Sequence, residues 1–164
     1  MLKLFKKNKA RGSDIYAVVS GTIKSLEKVE DQVFSKGLVG RGVAIVPAGA
    51  VIHSPCDGTL SVVFPTGHAL GISDENGLEY LLHIGIDTVK LQGAGFEVLV
   101  AQGSPVKRGE PLVKVDFDLL KEQGYPTDTI VLLTSPAEMS SYALYAKDGQ
   151  SVTTADAIFH CERA

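Results

Sequence analysis

The chain has 164 residues, 45% of them hydrophobic and 21% charged, with a formal net charge of -3. That length and apolar content fit one globular domain with a real core and argue against disorder away from the ends. The slight acidic balance gives no electrostatic case for nucleic acid as a partner, and no apolar run approaches the ~20 residues of a membrane span.

The start, MLKLFKKNKA, is basic and lacks the apolar stretch of a secretory signal. Residues 1–14 read as a flexible N-terminal segment and 15–164 as a single β domain. The two cysteines, Cys56 and Cys161, have no C-x-x-C spacing, so neither a zinc knuckle nor a redox motif is indicated. Free thiols fit a reducing compartment, and the expected location is the cytoplasm.

Seventeen glycines and seven prolines punctuate the chain. Between them lie short runs rich in Val, Ile and Leu, in order AVVSGTIKSL, GVAIVP, AVIHSP, TLSVVF, HALGIS, LEYLLHIGI, PLVKVD and TIVLLT. Short apolar runs between turn residues read as strands, and their spacing is that of an all-β sandwich or barrel. Helix is scarce. DFDLLKEQG (116–124) is the best short helix, with Asp116 or Asp118 as its cap and Gly124 as its stop, and 93–103 is expected to add a turn or two. AVVSGTIKSL and HSPCDGTLSVV share a small–x–Gly–Thr–aliphatic pattern, a faint internal echo of the kind that duplicated barrel-sandwich folds carry.

The informative stretch is VFPTGHALGISDENGLEYLLHIGIDTV, residues 63–89, in which two strand-like runs flank DENG. A four-residue loop over 74–77 sets Ser73 opposite Leu78 and His68 opposite His83. A two-residue Asn76-Gly77 loop sets His68 opposite Gly85, with His83 one diagonal step away. Either register keeps both histidines on one face within side-chain reach, because side chains alternate with period two. Tyr80, Leu82 and Ile84 form the core-facing set of the second strand, and Glu79, Leu81 and His83 the other. Gly67, Gly71 and Gly85 leave room beside the pair for another surface.

Such a pair supports three readings. In the first, a neutral imidazole accepts and passes on a phosphoryl group, the second imidazole donates hydrogen bonds to it, and Thr66 fixes a ring nitrogen. In the second, His68 and His83 are two ligands of a zinc ion that a docked partner completes, since no H-x-H or H-E-x-x-H accompanies them. In the third, they are two hydrogen-bonded histidines on a strand face. His53 and His160 carry no motif of their own.

PTGHALGI, the hairpin and LLHIGIDTV together resemble the active-site hairpin of the glucose-family IIA component of the bacterial phosphoenolpyruvate-dependent sugar phosphotransferase system. The likeness runs from about 18 to 120. It implies an antiparallel β barrel-sandwich of the duplicated hybrid motif kind with one or two short helices. It further implies that His83 accepts phosphate from the histidine-containing phosphocarrier protein and passes it to a cysteine of a IIB domain of a sugar permease, with no cofactor required. His68 would stabilise the group and Thr66 would orient a histidine. By the same resemblance Val33, Phe34, Val39, Val43, Ile45, Phe64 and Leu81 match an apolar docking depression, and Asp31 and Asp87 its acidic rim. A core position is the competing reading for Val39, Val43 and Ile45. Two departures stand out: Gly67 replaces a frequent lysine or asparagine, and Arg41 replaces an acidic residue, removing negative charge near the docking rim. The competing functions are a zinc hydrolase on a related fold, a lipoyl or biotinyl carrier, and a regulatory docking protein without turnover. The carrier module is disfavoured because the DENG turn offers no lysine.

Overall fold

The computed structural model describes residues 12–134 and 138–164. Among them are short strands, two α-helical segments and two single 3₁₀ turns. The first described strand, β1 (Gly12–Tyr16), pairs along its length with β14 (Ala157–Arg163), so residues 12–14, expected in the flexible N-terminal segment, are part of the sheet; residues 1–11 lie outside the described residues.

All strand pairs are antiparallel. The largest sheet contains β2 (Gly21–Ser25), β3 (Arg41–Pro47), β11 (Thr129–Leu133), β7 (Glu79–Ile84), β6 (Ala69–Asp74) and β5 (Gly58–Val63) in that spatial order, closed at its ends by two-residue strands β13 (Ser151–Val152) and β9 (Pro105–Val106). Two three-stranded sheets complete the sandwich, β1–β14–β12 (β12, Met139–Leu144) and β4–β10–β8 (β4, Val51–His53; β10, Pro111–Val115; β8, Phe96–Val98). Ile23, Val43, Ile45, Leu60, Leu70, Leu82 and Val131 from the large sheet meet Ile15, Phe159, Ile52, Leu112 and Val113 from the small ones in one buried cluster. The inward alternation on β7 is as expected: Tyr80, Leu82 and Ile84 are buried, while Glu79, Leu81 and His83 are half-buried on the other face. Segment 93–103 differs from expectation, since β8 runs through it and pairs with β10. The helix at 116–124 is α2 (Phe117–Glu122), with the Asp116 side chain accepting from the Leu119 N–H (3.1 Å) and Gly124 beyond its end at φ 86°.

The internal echo is a true structural duplication. Gly21 opens β2 and Gly58 opens β5, and a Cβ on either would sit 2.1 or 2.2 Å from a carbonyl oxygen of the neighbouring strand. Ile23 donates to the Gln150 carbonyl and accepts from Gly149, as Leu60 donates to Ser104 and accepts from Gly103. The run β2–β3–β11 is thus repeated as β5–β6–β7, and the two halves meet at the Val131–Leu82 pair.

The β6–β7 hairpin takes neither register expected for it. Asp74 N–H bonds the Leu78 carbonyl (2.9 Å), leaving a three-residue loop, 75–77, with Gly77 left-handed at φ 83°. A type I turn followed by a left-handed glycine is the favoured three-residue hairpin, and it sets Ala69, not His68, opposite His83. The buried Asp74 carboxylate anchors this end of the hairpin. It accepts from the N–H groups of Asn76 and Leu78, from Ser13 Oγ and from the Tyr80 hydroxyl (2.8 Å). Burial and the Asp74 charge push the Tyr80 phenol far above its usual range, so it stays a donor. Both cysteines are buried and free, and burial pushes the Cys56 thiol up to about 12, which makes it unreactive.

Tyr80→Phe removes one bond to a buried carboxylate and is expected to cost about 1.5–3 kcal/mol. Urea denaturation checks this, and an unchanged midpoint would show that Asp74 does not depend on the phenol.

Candidate functional site

The outer face of the large sheet carries the site. Lys24, Ala44, Ile130, His83 and Ala69 lie in one row across β2, β3, β11, β7 and β6. The next row holds Gly42, Leu132 and Leu81. Over this floor lies a second apolar cluster of Val29, Phe34, Ala44, Ile86, Ile130 and Leu132, with Leu26, Val39 and Leu81 at its margin. Helix α1 (Gln32–Ser35) supplies Phe34, whose ring lies 4.9 Å from that of His83. The Asp31 carboxylate caps α1, accepting from Val33 N–H (2.9 Å) and Phe34 N–H (3.2 Å).

His68 reaches the site from beyond the end of β6. Strict alternation would put it on the core side with Leu70. Instead the chain turns at Phe64–Gly67, where Gly67 N–H bonds the Phe64 carbonyl (2.8 Å) and Gly67 is left-handed at φ 75°. A β-carbon at Gly67 would lie 2.9 Å from both Phe96 Cβ and Val98 Cγ2. The turn carries the His68 ring to 5.3 Å from the His83 ring, edge to face, with Phe64 5.2 Å on its other side. Thr66 Oγ1 and His68 Nδ1 are 2.5 Å apart. The two histidines therefore meet as expected but through a turn, not through strand register.

His83 Nδ1 lies 2.8 Å from the Gly85 carbonyl oxygen. A carbonyl only accepts, so Nδ1 carries the proton and Nε2 keeps its lone pair. Gly85 aims that carbonyl because it is left-handed, at φ 75°. Burial lowers the His83 pKa, against opposing pulls from the Gly85 hydrogen bond and the charges of Asp31 and Asp87. Burial, then the neighbouring His83, lowers that of His68. Both rings are thus neutral at pH 7, the state in which an imidazole is a nucleophile.

The proposed docking residues separate into two groups. Val33 and Phe64 are exposed, Phe34 is buried against His83, and Val39 and Leu81 border the outer cluster. Asp87 is exposed and left-handed at φ 60°, at the head of a 3₁₀ turn (Thr88–Leu91). Val43 and Ile45, at 2% and 0% exposure, face the other way into the main core, because they pair with Val131 and Thr129, one residue out of phase with the site row. Ala44, Ile130 and Leu132 take their place. Arg41 shares the phase of Val43 and its guanidinium lies over the Tyr142 ring at 4.2 Å, so it does not lie at the rim of the site face. The sequence reading missed Leu38, which is 72% exposed after α1, and the Ile130–Leu132 floor. Spacing gave no means of finding the floor, because it depends on which strand lies beside β7.

Two imidazoles are half of a tetrahedral zinc ligand set. Among the described residues no group of three or more His, Cys, Asp or Glu side chains could hold a metal ion. His160 is occupied elsewhere, 2.7 Å from Asp14 Oδ1.

An NMR titration of the ring protons should place both histidines below the ordinary value of 6.5. Asp31→Asn removes a charge that favours the imidazolium and should move His83 lower still. The sign for stability follows: the unfolded chain binds more protons below 6.5, so the contribution of this pair is present above that pH and is lost on acidification. A rise in the His83 value on Asp31→Asn would contradict this assignment of causes.

A family model for the phosphoenolpyruvate-dependent sugar phosphotransferase system, EIIA 1, matches residues 13–139. The chain is 40% identical over 137 residues to a PTS system glucose-specific EIIA component of Bacillus cereus, covering 80% of this chain and 83% of that one. It is 42% identical over 142 residues to a PTS system glucose-specific EIICBA component of Streptococcus pneumoniae, covering 87% of this chain but 20% of that longer protein. In the fused relatives of this kind the chain spans about a fifth of the length. Among solved structures, glucose permease IIA from Mycoplasma capricolum superposes with a TM-score of 0.83 at 35% identity, covering 93% of this chain and 97% of that one. With the duplicated sandwich and the paired histidines, these matches establish that the chain belongs to the EIIA 1 family of the phosphoenolpyruvate-dependent sugar phosphotransferase system.

Proposed function

We propose that this chain is a phosphoryl carrier in sugar uptake, with His83 as the acceptor. The observation that carries the reading is the His83 ring itself: neutral, with Nδ1 held by the Gly85 carbonyl, and Nε2 left with a lone pair beside a second imidazole. A phosphorus–nitrogen bond on the phosphocarrier protein breaks as one forms at His83 Nε2. The proton stays on Nδ1 throughout, donated to the Gly85 carbonyl, so the ring accepts the group without losing its hydrogen bond. Thr66 on Nδ1 of His68 leaves that ring's Nε2 side to donate to the phosphoryl oxygens, where charge spreads during transfer.

Onward transfer goes to a cysteine thiolate of a IIB domain, with the phosphorus–nitrogen bond breaking as a phosphorus–sulfur bond forms. Val33, Phe34, Val39, Leu81 and Phe64 form the apolar docking surface, and Asp31 and Asp87 steer a basic partner. The transfer needs no cofactor. A zinc ion at the two imidazoles would require further ligands from a docked partner. No helix among the described residues is long and apolar enough to cross a membrane. The expected setting is the cytoplasm, where both protein partners are reached.

Purified protein incubated with phosphoenolpyruvate, enzyme I and the histidine phosphocarrier should gain one acid-labile phosphate by intact mass. His83→Gln should gain none. His68→Gln should still be labelled but pass the group to a IIB domain about 10²-fold more slowly. Label on His83→Gln would move the acceptor elsewhere, and no label on the wild type would end the carrier reading.

A further inference from the structure

We propose that Thr88, away from the apolar docking surface, is a positioning residue for transfer: by holding the peptide between Ile84 and Gly85 it decides which nitrogen of His83 carries the proton. The inference rests on the carrier reading above for its kinetic consequence, though not for its structural one.

The Thr88 side chain is fully buried and makes no contact with the open surface. Its hydroxyl donates to the Ile84 carbonyl at 2.6 Å. That carbonyl belongs to the same rigid peptide as the Gly85 N–H, which donates to the Asp128 carbonyl at 3.0 Å. The peptide plane is therefore pinned at both ends, the C=O by Thr88 and the N–H by β11's approach. The next peptide, which carries the Gly85 carbonyl, follows through a left-handed φ of 75° and is held in turn by the Ile86 N–H, which donates to the Pro126 carbonyl at 3.0 Å; its carbonyl oxygen lies 2.8 Å from His83 Nδ1.

The threonine methyl does a second job. A β-carbon on residue 85 would lie 2.5 Å from Thr88 Cγ2 and 3.0 Å from the Pro126 carbonyl oxygen, so the packing admits only glycine there. The same Ile84 also donates its own N–H to the His68 carbonyl at 2.7 Å. One residue thus links the backbones of both histidines, and Thr88 is the side chain that holds it. A hydroxyl bonding the carbonyl four residues earlier is a common local motif. Here the carbonyl concerned adjoins the residue whose orientation selects the His83 tautomer. Without the hydroxyl, the Ile84–Gly85 peptide keeps only its N–H bond to Asp128 and can tilt, the Gly85 carbonyl shifts from Nδ1, and part of the proton population moves to Nε2, the atom that must attack.

The test compares ¹⁵N-labelled wild type, Thr88→Val and Thr88→Ser. Valine keeps the shape and the methyl but removes the hydroxyl; serine keeps the hydroxyl. Long-range ¹H–¹⁵N spectra of the unphosphorylated proteins at neutral pH read the protonated nitrogen of His83. Steady-state transfer from the phosphorylated histidine phosphocarrier gives kcat and KM. The expected result is a single Nδ1–H tautomer in wild type and Thr88→Ser, and a mixture in Thr88→Val. In Thr88→Val kcat should fall about tenfold or more with KM within about twofold, because the docking face is untouched. A folded Thr88→Val with the wild-type tautomer and kcat would overturn the proposal. So would Thr88→Ser losing the Nδ1–H form, and this variant decides alone if Thr88→Val does not fold. If the wild type accepts no phosphoryl group, the carrier reading fails, while the spectra still judge the hold of Thr88 on His83.

Discussion

The site depends on one hydrogen bond, from His83 Nδ1 to the carbonyl of a residue only two positions further along the chain. A strand in regular extension cannot make it, because neighbouring carbonyls point sideways into the ladder. The bond exists because β7 ends at Ile84 and Gly85 turns left-handed, a conformation that costs a residue with a β-carbon about 1–2 kcal/mol. The end of the strand is thus part of the chemistry. It gives a half-buried imidazole one fixed donor and one fixed lone pair before any partner arrives, and so would reduce the reorganisation required in the proposed transfer.

Burial and charge oppose one another at the same ring. The outer cluster beneath α1 removes His83 from water and lowers its pKa, while the Gly85 carbonyl, Asp31 and Asp87 favour the proton. Burial prevails, and the ring stays neutral. Asp31 works in two ways, since its carboxylate holds the first turn of α1 and so seats Phe34 against His83. The acidic rim and the apolar wall are consequently parts of one local structure. Removing the cap would loosen the wall.

Much of this was legible in the residues. The period-two alternation of Tyr80, Leu82 and Ile84 correctly gave the inward face of β7, and Asp116 and Gly124 bounded a real helix. The pairing of His68 with His83 was also anticipated, but the route to it was not. A two- or four-residue loop was expected where Gly77 makes a three-residue one, and the one-residue slip would have turned His68 away had the chain not turned at Gly67. Val43 and Ile45 were matched to the docking depression by the family resemblance, with the core as the competing reading; their phase depends on pairing with β11, a contact between residues more than eighty positions apart that no local pattern encodes. The family likeness supplied the depression, and only the register could say which residues of β3 line it.

The duplication has a consequence for stoichiometry. Under the repeat that maps β5–β6–β7 onto β2–β3–β11, the position of His83 corresponds to Leu132 and that of His68 to Arg41. The second half has neither the imidazoles nor the left-handed glycines that Gly67 and Gly85 supply to the first. Leu132 lies in the apolar floor beside the first station, and Arg41 rests on Tyr142 behind the sheet. A chain with two equivalent stations would be free to hold two groups and to exchange them internally. Here the described residues hold one histidine pair, and the other half of the repeat supplies part of the apolar wall beside it.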